Sequence, residues 1–430
     1  MNQETIAIHH GYARDGQMTM AVPLYQSTAF EFESADQAAN RFALKELGNI
    51  YTRLANPTTS VLEERIAALE GGASAVATSS GQAAIFYAVA NVAESGDNIV
   101  ISDKLYGGSV TLLTHTIKRF GIEARLFNAT DPEGLESLID DRTKAIFFES
   151  LSNPQISIPK IDAIVEIARR EGVVTICDNT VATPALFRPI DHGVDVVVHS
   201  TSKYITGQGL AIGGIVVDRP GLDTLLRDNP RYAHFNEPDA SYHGLVYTEL
   251  PFPPFNLRVR LSLARDIGAV PAPFNSWLLI QGTETLPLRI RRHSENALEV
   301  AKFLAAHPKV RRVSYPGLEG DSQFDRAQHY FRDGLASGLL NFEVEDFETA
   351  RRLMDKTRLF AIVVNIGDSK SIITHPASTT HQQIPEAQQR AAGITPGLIR
   401  LSIGLEHAAD LIEDLSRALD ETEGGEHAAE

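Results

Sequence analysis

Lys203 stands just beyond the β-branched run Val196-Val197-Val198, and Asp178 closes a second such run, Val174-Thr175-Ile176-Cys177-Asp178, 25 positions earlier. An amine at one strand end and a carboxylate at another are the two contacts that pyridoxal phosphate requires. The amine bonds the aldehyde, and the carboxylate keeps the pyridine nitrogen protonated so that the ring can accept a carbanion's electrons. The pair points to an enzyme.

Three further segments supply groups such a cofactor needs. From Ala75 to Ala84 the chain passes from a strand pattern through Ser79-Ser80-Gly81-Gln82 into a helix pattern. Free N–H groups at a helix start, reinforced by aligned peptide dipoles, suit a phosphate dianion, although small residues at such turns also serve packing alone. Ser200 and Ser202 flank the lysine and can add hydroxyl donors to the same phosphate, or simply build a turn. In Leu105-Tyr106-Gly107-Gly108 an aromatic ring follows the second apolar run, where it can stack on a flat ring or pack against the protein.

The elements that must hold these residues are legible as alternation. Strand-like runs at Ala75–Thr78, Asn98–Ser102, Ala124–Asn128, Lys144–Ser150, Val173–Asp178 and Val194–Ser200 are separated by amphipathic stretches such as Gln82–Glu94 and Asp162–Glu171. That spacing predicts an α/β fold with a parallel sheet covered on both faces, and ligands bind at the carboxyl ends of such strands. Before it, residues up to about 56 lack periodicity and are read as an extended arm that needs another surface to lie on. Asn56-Pro57-Thr58-Thr59-Ser60 then resembles a helix start, with Ser60 three before Glu63, and Gly71-Gly72 a helix end. The Pro- and aromatic-rich stretch from Arg219 to Pro273 is expected to be an elaborated loop region near the site. A long helix should lead on to a helix at Ser294–Ala306, strands near Gly338–Val344 and Leu398–Ile403, a last helix at His407–Leu419, and a mobile acidic tail from Asp420. The expected organisation is an arm over 1–60, a large cofactor domain over 61–265 and a C-terminal domain over 266–430.

Composition excludes several classes. Hydrophobic residues make up 43% and charged residues 22%, the balance of an ordinary globule. A net charge of -16 disfavours nucleic acid and anionic membranes as partners. One cysteine, Cys177, leaves no intrachain disulfide and no thiolate metal cluster, which suits a reducing cytoplasm. The first residues show no signal-peptide pattern, and no apolar run approaches the roughly 20 residues of a bilayer span. His375 and His381 have no carboxylate or thiol pattern around them and are read as structural, with no metal expected.

With these motifs in order, the chain resembles the cystathionine γ-synthase group of pyridoxal-phosphate enzymes, the Cys/Met metabolism family, over nearly its whole length. The resemblance implies fold type I of the PLP-dependent transferases: a mostly parallel central sheet with helices on both faces, and a smaller α+β C-terminal domain. It makes Lys203 the Schiff-base lysine, Asp178 the pyridinium partner and Tyr106 the stacking ring, with phosphate contacts from Gly81, Gln82, Ser200 and Ser202. Tyr51-Thr52-Arg53-Leu54-Ala55-Asn56-Pro57-Thr58 matches the arm motif in which Tyr51 and Arg53 reach the phosphate of a neighbouring subunit, which implies a homotetramer built as a dimer of dimers. Asn153, in Glu149-Ser150-Leu151-Ser152-Asn153-Pro154, is similar to the residue that contacts the ring's phenolic oxygen, though an Asn-Pro turn needs no ligand. Arg400 resembles the arginine that grips the substrate α-carboxylate, a task for a planar fork of donors, although a lone strand arginine is ordinarily a salt-bridge partner. Asn365 and Asn153 join it on the substrate side.

Local departures narrow the implied activity. Methionine γ-lyases carry a cysteine where Gly108 stands, and enzymes handling cystathionine carry a glutamate at Lys370, near the substrate's far amino group. Asn365–Ser371 and the loop Pro238–Gly244 are similar to the O-acetylhomoserine sulfhydrylase subgroup, while Gln82 replaces a methionine without changing the backbone donor. The resemblance therefore implies γ-replacement in methionine biosynthesis, O-acetyl-L-homoserine plus a sulfide equivalent giving L-homocysteine and acetate, with Lys203 moving protons and Tyr51 or Tyr106 assisting the leaving group. A γ-lyase or a cystathionine γ-synthase is the alternative within the family. A non-catalytic relative is disfavoured by the retention of Lys203 and Asp178 together.

Overall fold

The computed structural model describes residues 1–380, 382, 389–390 and 393–423. Its larger sheet has seven strands: β1 (Ser74–Thr78), β2 (Asn98–Ser102), β3 (Glu123–Phe127), β4 (Thr143–Glu149), β5 (Val174–Asp178), β6 (Val196–His199) and β7 (Gly214–Asp218). Their order is β1-β7-β6-β5-β4-β2-β3, with β7 antiparallel to both neighbours and every other pairing parallel. The carboxyl ends of β1, β2, β4, β5 and β6 therefore share one edge. Central strands read as unbroken apolar runs because helices cover both faces. In β4, Ile146 and Phe148 join the core on one face while Phe147 joins that on the other, and all three are buried. Each such side chain contributes about 1.5–3 kcal/mol relative to exposure.

The second sheet has five strands: β8 (Arg312–Ser314), β9 (Leu339–Glu343), β10 (Ala361–Ile362), β11 (Ile372–Thr374) and β12 (Leu398–Ser402), in the order β10-β11-β12-β9-β8. It is antiparallel except for β10–β11. Two long helices, Pro273–Glu284 and Leu286–Ala306, bridge the sheets, and Ala408–Asp420 packs on the second of them.

Several expectations need correction. The N-terminal segment is not extended throughout: Gln3–His9 and Ala35–Phe42 are helical, and the first docks on this chain's own helices, with the Gln3 amide donating to the Pro184 carbonyl. The helix Pro57–Glu70 is capped by Asn56, whose side chain accepts from Thr58 N at 3.0 Å, rather than by Ser60. Glu63 instead turns inward to accept from Ala77 N at 2.8 Å and meet Arg260 at 2.7 Å. The stretch from Arg219 to Pro273 breaks into short helical turns around buried Tyr232, Phe235, Tyr247 and Phe255, and none of its residues lines the cleft described below. The expected tail begins helical, through Glu423, and its remainder lies outside the described residues, as does His381. Among the described residues, no helix is long and apolar enough to cross a membrane.

Candidate active site

The strand ends open on a cleft of about 280 Å³, closed opposite by Val364–Ile366 and by Arg400 of β12. After β1, the Ser80 hydroxyl caps the helix Gly81–Ala90 by accepting from Ala83 N at 3.1 Å. The Gly81 and Gln82 amides lie in the first turn, where the helix has no acceptor for them, and both residues line the cleft. Gly81 is required by close approach, since a Cβ there would fall 2.6 Å from Ser200 Cβ and 2.9 Å from Ser200 Cα.

After β5, the Asp178 carboxyl faces the cleft and accepts from Thr180 N at 2.9 Å. Burial pushes its pKa up, against the pull of the Thr180 hydrogen bonds, so a bare carboxylate there is costly until a cation arrives. Behind it, Glu70 Oε1 receives both His199 Nε2 at 2.6 Å and Asn179 Nδ2 at 2.9 Å, which ties the ends of β5 and β6 together. After β6, Ser200 N donates to Thr180 Oγ1 at 2.8 Å, and the Ser202 hydroxyl exchanges hydrogen bonds with Gly213, donating to its carbonyl at 3.1 Å and accepting from its N–H at 3.0 Å. Both serines line the cleft, but the Ser202 proton is engaged by the turn.

Lys203 Nζ points into the same space and donates to Asn365 Oδ1 at 2.6 Å. Burial, and then the charge of Arg400, lower its pKa, which favours the neutral, nucleophilic amine. Arg400 is 3% exposed. Its Nη1 donates to Asn153 Oδ1 at 2.9 Å, and its Nη2 to Asn365 O at 3.0 Å and Thr374 Oγ1 at 3.3 Å. Its Nε is buried without a partner, and burial lowers its pKa to about 10. A buried cationic N–H left unpaired beside a cleft is a place for an anion such as a carboxylate.

Tyr106 and Asn153 complete the walls, so ten of the predicted residues meet here: Lys203, Asp178, Gly81, Gln82, Ser200, Ser202, Tyr106, Asn153, Asn365 and Arg400. Tyr51 and Arg53 do not. Tyr51 is 42% exposed, bridges Ala29, and carries the exposed Arg53 guanidinium 5.6 Å over its ring. Lys370 also lies outside the cleft wall, 76% exposed with its ammonium 3.7 Å from Asp368. His375 spends both ring nitrogens on Ser378 Oγ at 2.8 Å and Pro396 O at 2.7 Å, as a structural residue does.

Glu149 was not anticipated. It ends β4 opposite Asp178, lines the cleft, and accepts from Tyr106 N at 2.6 Å and Asn153 N at 3.2 Å. Burial, and then the Asp178 charge, push its pKa well up. The available signal was an acid ending an otherwise apolar strand next to Asn153-Pro154. Thr180 and Ser80 were likewise passed over inside segments read for other residues.

A desolvated amine, a buried carboxyl and two unpaired helix-start amides, converging at the carboxyl edge of an open α/β sheet, form the donor set of an enzyme built around pyridoxal phosphate, and the residues fit that group. The chain belongs to the Cys/Met metabolism PLP-dependent enzyme family, whose model matches residues 4–420. It is 46% identical to an O-acetyl-L-homoserine sulfhydrylase of Leptospira meyeri, covering 97% of this chain and 96% of the relative. It is 42% identical to a homocysteine synthase of Schizosaccharomyces pombe, over 97% of this chain and 98% of that one. A Campylobacter jejuni crystal structure with N'-pyridoxyl-lysine-5'-monophosphate at its position 205 is similar at 55% identity and a TM-score of 0.96, covering 98% of this chain and all of the other.

Proposed function

We propose that the protein catalyses γ-replacement on an O-acylated homoserine, converting O-acetyl-L-homoserine and sulfide to L-homocysteine and acetate in methionine biosynthesis. One observation carries the chemistry: Lys203, Asp178 and Arg400 line a single cleft, and the Arg400 Nε is buried beside it without a partner. Similarity to relatives named O-acetyl-L-homoserine sulfhydrylase and homocysteine synthase supports the choice of reaction. Pyridoxal phosphate, when bound, supplies an aldehyde for an amine and a ring that takes up a carbanion's electrons.

The residues divide the remaining work. The Gly81 and Gln82 amides, with Ser200, would receive the phosphate. Asp178 would hold the ring nitrogen, whose positive charge would offset the cost of burying that carboxylate. Tyr106 would cover the ring's face, and Asn153, which already holds the arginine, would also contact the ring's oxygen. Arg400 receives the α-carboxylate through Nε while its terminal nitrogens stay tied to Asn153, Asn365 and Thr374. Lys203, freed when the substrate amine takes its place, accepts the α-proton, since its pKa is depressed toward the working range. Once it has released that proton, the same amine takes a second one from Cβ, and the Cγ–O bond breaks with its electron pair leaving on acetate. Sulfide then bonds to Cγ, and the protons return to Cβ and Cα.

Beyond the helix Gln3–His9, which docks on this chain, the arm over 1–60 is assigned to a neighbouring copy's site, with Tyr51 and Arg53 reaching its phosphate, in a homotetramer of two such dimers; the cofactor domain spans 61–265 and the substrate-carboxylate domain 266–430. Exposed Met18, Met20, Leu24, Tyr25, Phe42 and Leu47 on that arm give it an apolar surface to cover. A cytoplasmic location is proposed from the biosynthetic reaction. Product analysis with O-acetyl- and O-succinylhomoserine, each with and without sulfide, tests the function. Homocysteine and acetate formed only with sulfide are expected; 2-oxobutyrate and ammonia released equally fast without it would make the protein a γ-lyase instead.

A further inference from the structure

The cleft walls are joined by a chain of hydrogen bonds that converges on a residue with no role in the reaction above. Lys203 Nζ donates to Asn365 Oδ1, Arg400 joins the Asn365 carbonyl to Asn153 Oδ1, and the Asn153 N–H donates to Glu149 Oε2. The other oxygen of Glu149 receives the Tyr106 N–H at 2.6 Å. We propose that Glu149 is a positioning residue: its two oxygens fix the backbones that carry Tyr106 and Asn153, and through them the ring's cover and the orientation of the Arg400 fork.

The side chain is suited to that task and costly for anything else. It is buried next to a second carboxyl, where an apolar residue would pack at lower cost, and it presents an acceptor to each of the Tyr106 and Asn153 N–H groups. Its raised pKa does not weaken this role, because a neutral carboxyl keeps an acceptor lone pair on both oxygens. A glutamine of the same size has one acceptor, so its NH2 must face one of the two backbone donors.

The inference rests on the roles proposed for Tyr106, Asn153 and Arg400, and it is tested on the holoenzyme with E149Q and E149D. E149Q should weaken cofactor affinity or raise the KM for O-acetylhomoserine by about tenfold, the effect of one lost buried hydrogen bond. E149D, whose shorter side chain reaches neither donor, should do both and shift the bound cofactor's visible absorption. Folded variants with a lowered Tm but unchanged spectrum, cofactor affinity and KM would reduce Glu149 to a structural acid and overturn the proposal. Should neither variant fold, hydrogen exchange in the wild-type holoenzyme decides: the Tyr106 and Asn153 amides should be strongly protected, and rapid exchange at both overturns it. A wild type that binds the cofactor yet makes no homocysteine would refute the proposed reaction instead, while the spectral and affinity comparison still judges Glu149.

Discussion

Replacing Arg400 by lysine keeps the positive charge and removes the fork. The guanidinium is 3% exposed, holds Asn153 Oδ1, Asn365 O and Thr374 Oγ1 at 2.9, 3.0 and 3.3 Å, and keeps Nε unpaired for a substrate. A lysine ammonium is a point charge on a different stem; it cannot span those acceptors and still meet a carboxylate squarely. Loss of a charge-assisted hydrogen bond costs about 1.5–3 kcal/mol, and about 1.4 kcal/mol is a factor of ten. The KM for O-acetylhomoserine should therefore rise between about tenfold and about a hundredfold. Initial rates against O-acetylhomoserine at saturating sulfide measure this, with the KM for sulfide as the internal control. The retained charge also preserves the electrostatic part of the Lys203 pKa depression, so the pH profile should move little. A KM within about threefold of wild type, or an equal rise in both KM values, would refute the assignment of Arg400 to the carboxylate.

Further outcomes follow from other contacts. Gly81→Ala forces a methyl to within 2.6 Å of Ser200 Cβ, so the phosphate turn must shift and cofactor affinity, read by titrating the apoenzyme, should fall by about tenfold; unchanged affinity would remove the helix start from the phosphate site. Buried His293 and half-buried His234 have pKa values lowered from 6.5 to about 4, each chiefly by loss of hydration. These two histidines therefore contribute stability that is present above about pH 6.5 and lost as pH falls toward about 4, opposed over the lower part of that window by buried Asp218, whose pKa is raised to about 6. In urea titrations the stability difference between wild type and His293→Gln should shift against the wild type as pH falls from about 6.5 to about 4, and a difference independent of pH would contradict it. Lys203→Ala and Arg53→Ala chains, each inactive alone, should regain activity when refolded together, since one site of a mixed dimer receives both intact residues. No recovery would refute the shared site.

Lys203, Asp178 and Gly81 were legible because each follows a short apolar run, and chemistry at the carboxyl ends of parallel strands is set by topology. The pairing of Arg400 with Asn153 spans 247 residues and no local pattern encodes it; only the family resemblance brought the two together. Glu149 escaped because an acid ending a strand looks like a solvated terminus until the fold seals it beside Asp178. β7 is five residues between Gly213 and Arg219-Pro220, and its partners β1 and β6 are remote or reversed in direction, so its place in the sheet is a tertiary fact. The helices Gln3–His9 and Ala35–Phe42 are too short for periodicity to declare them. The stretch after Arg219 misled because aromatic and proline content marks elaborated loops and buried short helices alike.

The most direct test traps the covalent link. The holoenzyme is reduced with borohydride, digested, and its peptides sequenced by mass spectrometry. The pyridoxyl group should be found on Lys203 alone and be absent from Lys203→Ala. A label on any other lysine, or one that survives the substitution, would contradict the site built around Lys203 and Asp178.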